Sequence, residues 1–379
     1  MTTLSAKGFR PLFLGAALFA VAVAPLWVWM LVGGPTPRGP LVAVTWHAHE
    51  MIFGFTVAVI AGFLLTAVEN WTGEPTVRGW PLLALAGLWL AARIAMWGPG
   101  WLGPVLDLAF LPLVAVGIAR PLWAARNRRN LPFVALLGAL WAADLAVYAD
   151  VAGLWPGLAT TAHRVAVHVI AVIILVVAGR VVPMFTRNAT GDDRVGKWPL
   201  LDSLAVVATA GVATLQHWST SPAVQALGGV AGLVVLARMG AWWSAGVLTR
   251  PLLWVLHLGH AAVGLGLLTA ALPLLGVSVG SSPLHLVTVG GIGLLTIGMM
   301  ARVSLGHTGR PIQVGPEMGV AFGAVLGAAV ARFVVPWVDP ATAVRWYMAA
   351  AALWSVGFLC YAVLYAPILL APRADGRPG

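Results

Sequence analysis

Residues 46–68 read WHAHEMIFGFTVAVIAGFLLTAV: two histidines and a glutamate, then an apolar run through Val68 with no charged residue. A bilayer-spanning helix takes roughly 20 apolar residues, so this stretch predicts a membrane helix that carries ionisable groups at one end. The remainder of the chain is of the same kind. Of its 379 residues 60% are hydrophobic and 9% charged, against about 25% charged in a soluble domain. With a mean hydropathy of +0.92, this excludes a soluble enzyme, a disordered chain and a disulfide-stapled secreted scaffold. The single cysteine, Cys360, also excludes an intrachain disulfide and a CxxC site. Any metal must be held by histidine, methionine or carboxylate.

Apolar runs broken by proline, glycine and charge predict twelve helices. They cover 11–33, 46–68, 80–98, 101–119, 131–150, 160–182, 198–217, 223–247, 252–275, 284–304, 317–335 and 342–370. Lys7 and Arg10 precede a first run that is too long for a signal peptide and lacks a cleavage site, so it is expected to remain as the first span. No repeat or soluble segment stands out. The expectation is an all-α bundle of about twelve transmembrane helices forming one domain over 1–379.

Basic residues set the orientation. The termini and the loops after even-numbered helices carry Lys7, Arg10, Arg78, Arg120, Arg126, Arg128, Arg129, Arg187, Arg194, Lys197, Arg250, Arg310, Arg373 and Arg377, whereas the loops after odd-numbered helices carry Arg38. The positive-inside rule then places both termini in the cytoplasm. The net charge of +10 is accounted for by topology, and nucleic acid is discarded as a partner.

Ionisable groups inside hydrocarbon are costly and usually face a bundle interior. Toward the outer side lie His47, His49, His163, His168 and His285, with Glu50, Asp107, Asp144, Asp150 and Arg164. Toward the inner side lie His257, His260 and His307, with Glu69, Arg180, Arg238 and Arg302. His217 reads as a loop residue. At about 100° per residue His47 and His49 face nearly opposite ways, so they suit two centres flanking one helix. His257 and His260, three apart, share a face and suit one metal. His163 and His168 are about 140° apart, and a shared role there needs a kink. Neutral imidazole is a common ligand for copper and haem iron, so an all-histidine copper site or a bis-histidine haem is the natural reading, against plain packing roles for each histidine. Glu50 shares a face with His47 at i+3, either feeding protons to a substrate or fixing the His47 tautomer. Asp150 and Arg164 read as an ion pair anchoring a hairpin. Trp46, Trp80, Trp101, Trp198 and Trp254 read as interfacial anchors. Gly290, Gly293 and Gly298 read as sites of close packing, beside a helix or a flat cofactor.

The string WHAHEM (46–51), running on to AGFLLTAVENWTG (61–73), resembles the NnrS family of bacterial membrane proteins. So do FRPLFL (9–14), RVVPMFTRN (180–188) and GMMARVSLGHTGR (298–310). The resemblance covers nearly the whole chain. It implies a twelve-helix haem- and copper-containing protein of the bacterial inner membrane, linked to nitric oxide metabolism and nitrosative stress. The matching positions are His47, His49 and Glu50; Arg180, Phe185 and Arg187; and Arg302, His307 and Arg310.

The expected activity is reduction of nitric oxide to nitrous oxide with electrons from membrane quinol, using copper and one or two haems b. Glu50 is the expected catalytic acid. His47, His49, His163, His168, His257, His260, His285 and His307 are the candidate metal ligands. His47, His49, His285, Arg180 and Arg302 are the candidate cofactor contacts, the arginines through haem propionates. Two other readings stand beside it: a haem/copper protein that binds or senses nitric oxide without turnover, and a twelve-helix secondary transporter.

Overall fold

A computed structural model describes residues 2–334 and 340–377. The described residues contain twelve apolar helices and no strand. These are α1 (Phe9–Leu31), α2 (Ala43–Thr72), α3 (Trp80–Ala95), α4 (Leu102–Ala124), α5 (Pro132–Val151), α6 (Ala159–Thr190), α7 (Pro199–Thr214), α8 (Pro222–Trp242), α9 (Pro251–Thr269), α10 (Ser282–His307), α11 (Pro316–Val334) and α12 (Pro340–Leu370). Ten are long and apolar enough to cross a membrane, while α3 and α7 have 16 residues each. The chain is a multi-pass helical membrane protein. Each helix falls on an expected span; residue 335, the end of the eleventh, lies outside the described residues.

Proline sets many of the helix starts. Pro81, Pro132, Pro199, Pro222, Pro251 and Pro283 stand in first turns, where the missing N–H has no partner to lose and the fixed φ suits a helix. Proline does not end every helix. α6 continues through Pro183 to Thr190, past the expected end at 182. Conversely, α8 tightens into a 3-10 turn over Arg238–Trp242, short of the expected 247.

The chain divides into two compact units, one formed by Met1–Ala166, Met300–Gln313 and Phe358–Gly379, the other by Val167–Met299 and Val314–Gly357. In the first, α1 lies along α2, and α3, α4 and α5 pack as successive neighbours. Arg10 binds the end of α12, donating to the carbonyls of Leu369 at 2.6 Å and Ala371 at 2.9 Å. A cation there satisfies carbonyls that a helix end leaves open. Glu69 is engaged by Lys7 at 3.1 Å and Arg78 at 2.5 Å. In the tail, Arg373 donates to the His307 carbonyl at 3.0 Å and holds the exposed Asp375 carboxyl down at about 2.

In the second unit, α9 packs between α8 and α10 through glycines. A Cβ on Gly232 would lie 2.6 Å from the Gly264 carbonyl, so the α8 and α9 backbones meet directly, as small residues allow. On α10, a Cβ at Gly290 would meet Ala262 at 2.8 Å, at Gly293 Trp354 at 2.7 Å and at Gly298 Val255 at 2.7 Å. These three glycines serve close packing against neighbouring side chains.

Candidate functional site

Antiparallel order brings six side chains to one end of the first unit. His49 and Glu50 lie near the start of α2, Arg93 near the end of α3, Asp107 near the start of α4, and Asp144 and Tyr148 near the end of α5. The backbone of α2 widens to a π-helix over Glu50–Thr56. Such segments recur at functional sites and change which side chains share a face. Here the loosened carbonyls find side-chain donors: Trp89 Nε1 donates to Gly54 O at 2.8 Å and Thr56 Oγ1 to Met51 O at 2.8 Å.

Gly54 sits inside this turn. A Cβ there would lie 2.6 Å from Glu50 Oε2, 2.8 Å from the Phe19 ring and 2.9 Å from Arg93 Nη1. Gly54→Ala is therefore expected to displace the Glu50–Arg93 pair at about 1–3 kcal/mol. Gly87→Ala, on the open face of α3 where nothing lies within 4 Å, should be neutral or slightly stabilising. Melting in detergent compares them, and equal midpoints would contradict the packing argument.

His49 Nε2 has three oxygens around it: Asp144 Oδ1 at 3.0 Å, Asp107 Oδ2 at 3.0 Å and Tyr148 Oη at 2.9 Å. Tyr148 also donates to Asp107 Oδ2 at 3.0 Å. On the other side of the ring, Nδ1 lies 3.5 Å from Glu50 Oε1. Arg93 spans the cluster, with Nη1 donating to Glu50 Oε2 at 3.1 Å and Nη2 to Asp107. His49 is fully buried, Glu50 and Asp144 are 1% exposed and Asp107 is 5% exposed.

Two features exceed what hydrogen bonding explains. One imidazole nitrogen offers one proton or one lone pair, yet three oxygens converge on it. The cluster also sets three carboxylates against one guanidinium and one imidazole, with Arg93 reaching Glu50 and Asp107 and His49 reaching Asp144, so acidic groups outnumber basic ones. Buried charge of that kind is costly until a proton or cation compensates it. The ligand atoms of His49, Asp107 and Asp144 lie within 4.8 Å of one another, and the nitrogen–carboxylate set fits a divalent transition-metal ion such as copper or iron. His163, with its ring 6.5 Å from that of His49 and edge-on to it, carries a buried Nε2 with no hydrogen-bond partner.

The other sequence candidates are placed differently. His47 stacks flat on Trp27, with centroids 4.6 Å apart and rings 10° from parallel. Glu50, expected to serve His47, engages His49 and Arg93: Oε1 lies 3.5 Å from His49 Nδ1 and Oε2 accepts from Arg93 at 3.1 Å. His47, His49, His163, His307 and Arg302 belong to the first unit, and His168, His257, His260, His285 and Arg180 to the second. His285 uses both nitrogens: Nδ1 donates to Ser281 O at 2.8 Å and Nε2 accepts from Arg332 at 2.8 Å. His257 faces two carbonyls, Leu253 O at 3.0 Å and Trp242 O at 3.4 Å. His260 is fully buried against Trp242 at 4.7 Å, and neither of its nitrogens makes a hydrogen bond of ordinary geometry. Arg238 lies over the same indole at 4.7 Å and donates to Leu175 O at 2.9 Å. His307 stands 3.5 Å from the Asn70 amide and packs on Phe9. Arg180 and Arg302 are half-buried.

His49 and His260 have no accessible surface. Asp150, expected to pair with Arg164, accepts from the amides of Gly157 at 3.0 Å and Ala159 at 2.6 Å in its hairpin. Trp80, Trp101 and Trp198 are exposed, as interfacial anchors should be, but Trp46 is 1% exposed and meets Trp97 edge-on. It is buried in the bundle instead of anchoring. Sequence reasoning missed Arg93 and Tyr148. Arg93 had a signal: a cation within an apolar span, one short hairpin before Asp107.

Fold and site together define a multi-pass helical membrane protein with a buried histidine–carboxylate cluster. A family model described as NnrS protein matches residues 3–373. The chain belongs to the NnrS family, and membership points to a nitric-oxide-linked haem/copper membrane protein. No curated protein matches it.

Proposed function

We propose that the protein is a haem/copper redox protein of the bacterial inner membrane that reduces nitric oxide to nitrous oxide with electrons from membrane quinol. The supporting observation is the acid-rich cluster around His49, in a chain whose family is linked to nitric oxide. Two molecules of nitric oxide, two electrons and two protons give nitrous oxide and water, so the site must handle protons as well as electrons. A redox-active metal ion held by His49, Asp107 and Asp144 would supply single electrons and a Lewis acid.

The chain's own groups do the rest. Glu50, whose Oε1 lies buried 3.5 Å from His49 Nδ1, is the carboxyl that would pass protons to the cluster. Tyr148 holds a proton on its hydroxyl, between His49 and Asp107. Arg93 keeps the remaining carboxylate charge tolerable and fixes Glu50 and Asp107 in place. Nitric oxide is small and apolar and reaches the cluster through lipid.

The test is anaerobic gas analysis of purified protein given nitric oxide and a reduced quinol. One nitrous oxide per two nitric oxide consumed is expected. Spectral binding of nitric oxide without consumption would overturn the enzymatic reading in favour of a binding or sensing protein.

A further inference from the structure

The structure assigns a metal class to the His49 centre: we propose that it takes a non-haem iron ion, not copper. The proposal rests on reading that cluster as a metal centre of the redox protein described above. Four donor atoms converge there: His49 Nε2, Asp107 Oδ2, Asp144 Oδ1 and Tyr148 Oη. The Nε2 atom is 3.0, 3.0 and 2.9 Å from the three oxygens, and Tyr148 Oη is 3.0 Å from Asp107 Oδ2. An octahedral ion with bonds of about 2.1 Å has adjacent ligands about 3.0 Å apart. A tetrahedral site with similar bonds separates them by about 3.4 Å.

The spacing equals that of ordinary hydrogen bonds and is compatible with an octahedral ion; the composition of the donor set carries the assignment. One imidazole with two carboxylates and a phenol is dominated by hard oxygen donors. Copper sites in proteins draw on several imidazoles or on thiolate and thioether, whereas two histidines and a carboxylate with open positions are the pattern of non-haem iron, which this cluster reaches when a second imidazole joins His49. The described residues of the cluster include no methionine or cysteine donor at hydrogen-bonding distance from Nε2; Met96 Sδ, the nearest sulfur in the network, lies 4.0 Å from Tyr148 Oη. His163 is the reserve ligand, its Nε2 buried, unpartnered and next to His49. Its recruitment would complete two histidines with two carboxylates. One unpartnered atom beside the cluster, His163 Nε2, is on a side chain more than nine-tenths buried, so the site is built and not merely acidic. Magnesium or zinc would match parts of the donor set but exchanges no electrons, which the proposed reaction requires.

Elemental analysis of the full-length purified protein, with haem iron measured separately, reads the metal directly. About one iron per chain beyond haem is expected. Asp144→Asn should lower that iron at least tenfold, while Asp202→Asn, in the second unit, leaves it unchanged. Because Asp144→Asn can also impair folding, the wild-type protein carries a second readout: ferrous protein exposed to nitric oxide should give the high-spin EPR signal of a non-haem iron nitrosyl, distinct from the low-spin haem nitrosyl. Copper or zinc in place of the iron, or wild-type protein with no high-spin nitrosyl signal, overturns the assignment. Nitrous oxide production by a copper-loaded protein would overturn it alone and leave the proposed function standing. Iron at the site without nitrous oxide production would do the reverse.

Discussion

Arg93→Leu is expected to destabilise the protein by about 3–5 kcal/mol, the cost of leaving buried carboxylates without their cation. Arg93 is 4% exposed and reaches both Glu50 and Asp107. Leucine fills much of its volume but returns none of its charge. A midpoint in detergent lowered by roughly ten degrees is the corresponding shift. Arg93→Lys keeps one charge and loses the fork that serves two carboxylates at once, so it should fall between. A wild-type melting curve for Arg93→Leu would mean that the acids are already protonated or otherwise compensated, and the charge argument would fail.

Glu50→Gln is expected to slow nitric oxide consumption by about 100- to 10,000-fold, the range over which a positioned proton donor acts. Glutamine keeps the shape of the side chain and its contact with Arg93, but holds no transferable proton. Metal content and melting should change little, since Asp107 still meets both Arg93 and Tyr148. Single-turnover consumption by pre-reduced protein isolates the effect from electron delivery. An unchanged rate would remove Glu50 from proton transfer.

The helices were legible because bilayer thickness imposes a length on every apolar run, and loop arginines impose an alternation. That physics predicts α2, α5 and α9 starts to within a few residues. Pro183 shows its limit. In a soluble helix proline ends or kinks the run, but where neighbouring groups satisfy the freed carbonyl a membrane helix continues, and α6 runs on to Thr190.

The candidate site was legible as a set of residue types and not as a set of partners. His49, Glu50, Asp107 and Asp144 announce themselves by being polar in apolar spans. Helical spacing pairs Glu50 with His47, but it does not show that the adjacent His49 ring and Arg93, brought in from α3, meet the two Glu50 oxygens. The shared end of α2, α3, α4 and α5 follows from antiparallel order, but which side chains close the network depends on packing. Hence Tyr148, apolar enough to pass for core, was silent in the sequence while its hydroxyl lies 2.9 Å from His49 Nε2.

The central claim is that turnover of nitric oxide takes place at the His49 cluster. Gas-phase nitrous oxide from anaerobic mixtures of nitric oxide, reduced quinol and either wild-type or His49→Ala protein, matched for haem content, tests it most directly. The account predicts nitrous oxide from the wild type and at least a hundredfold less from His49→Ala. Equal production by the two would contradict it.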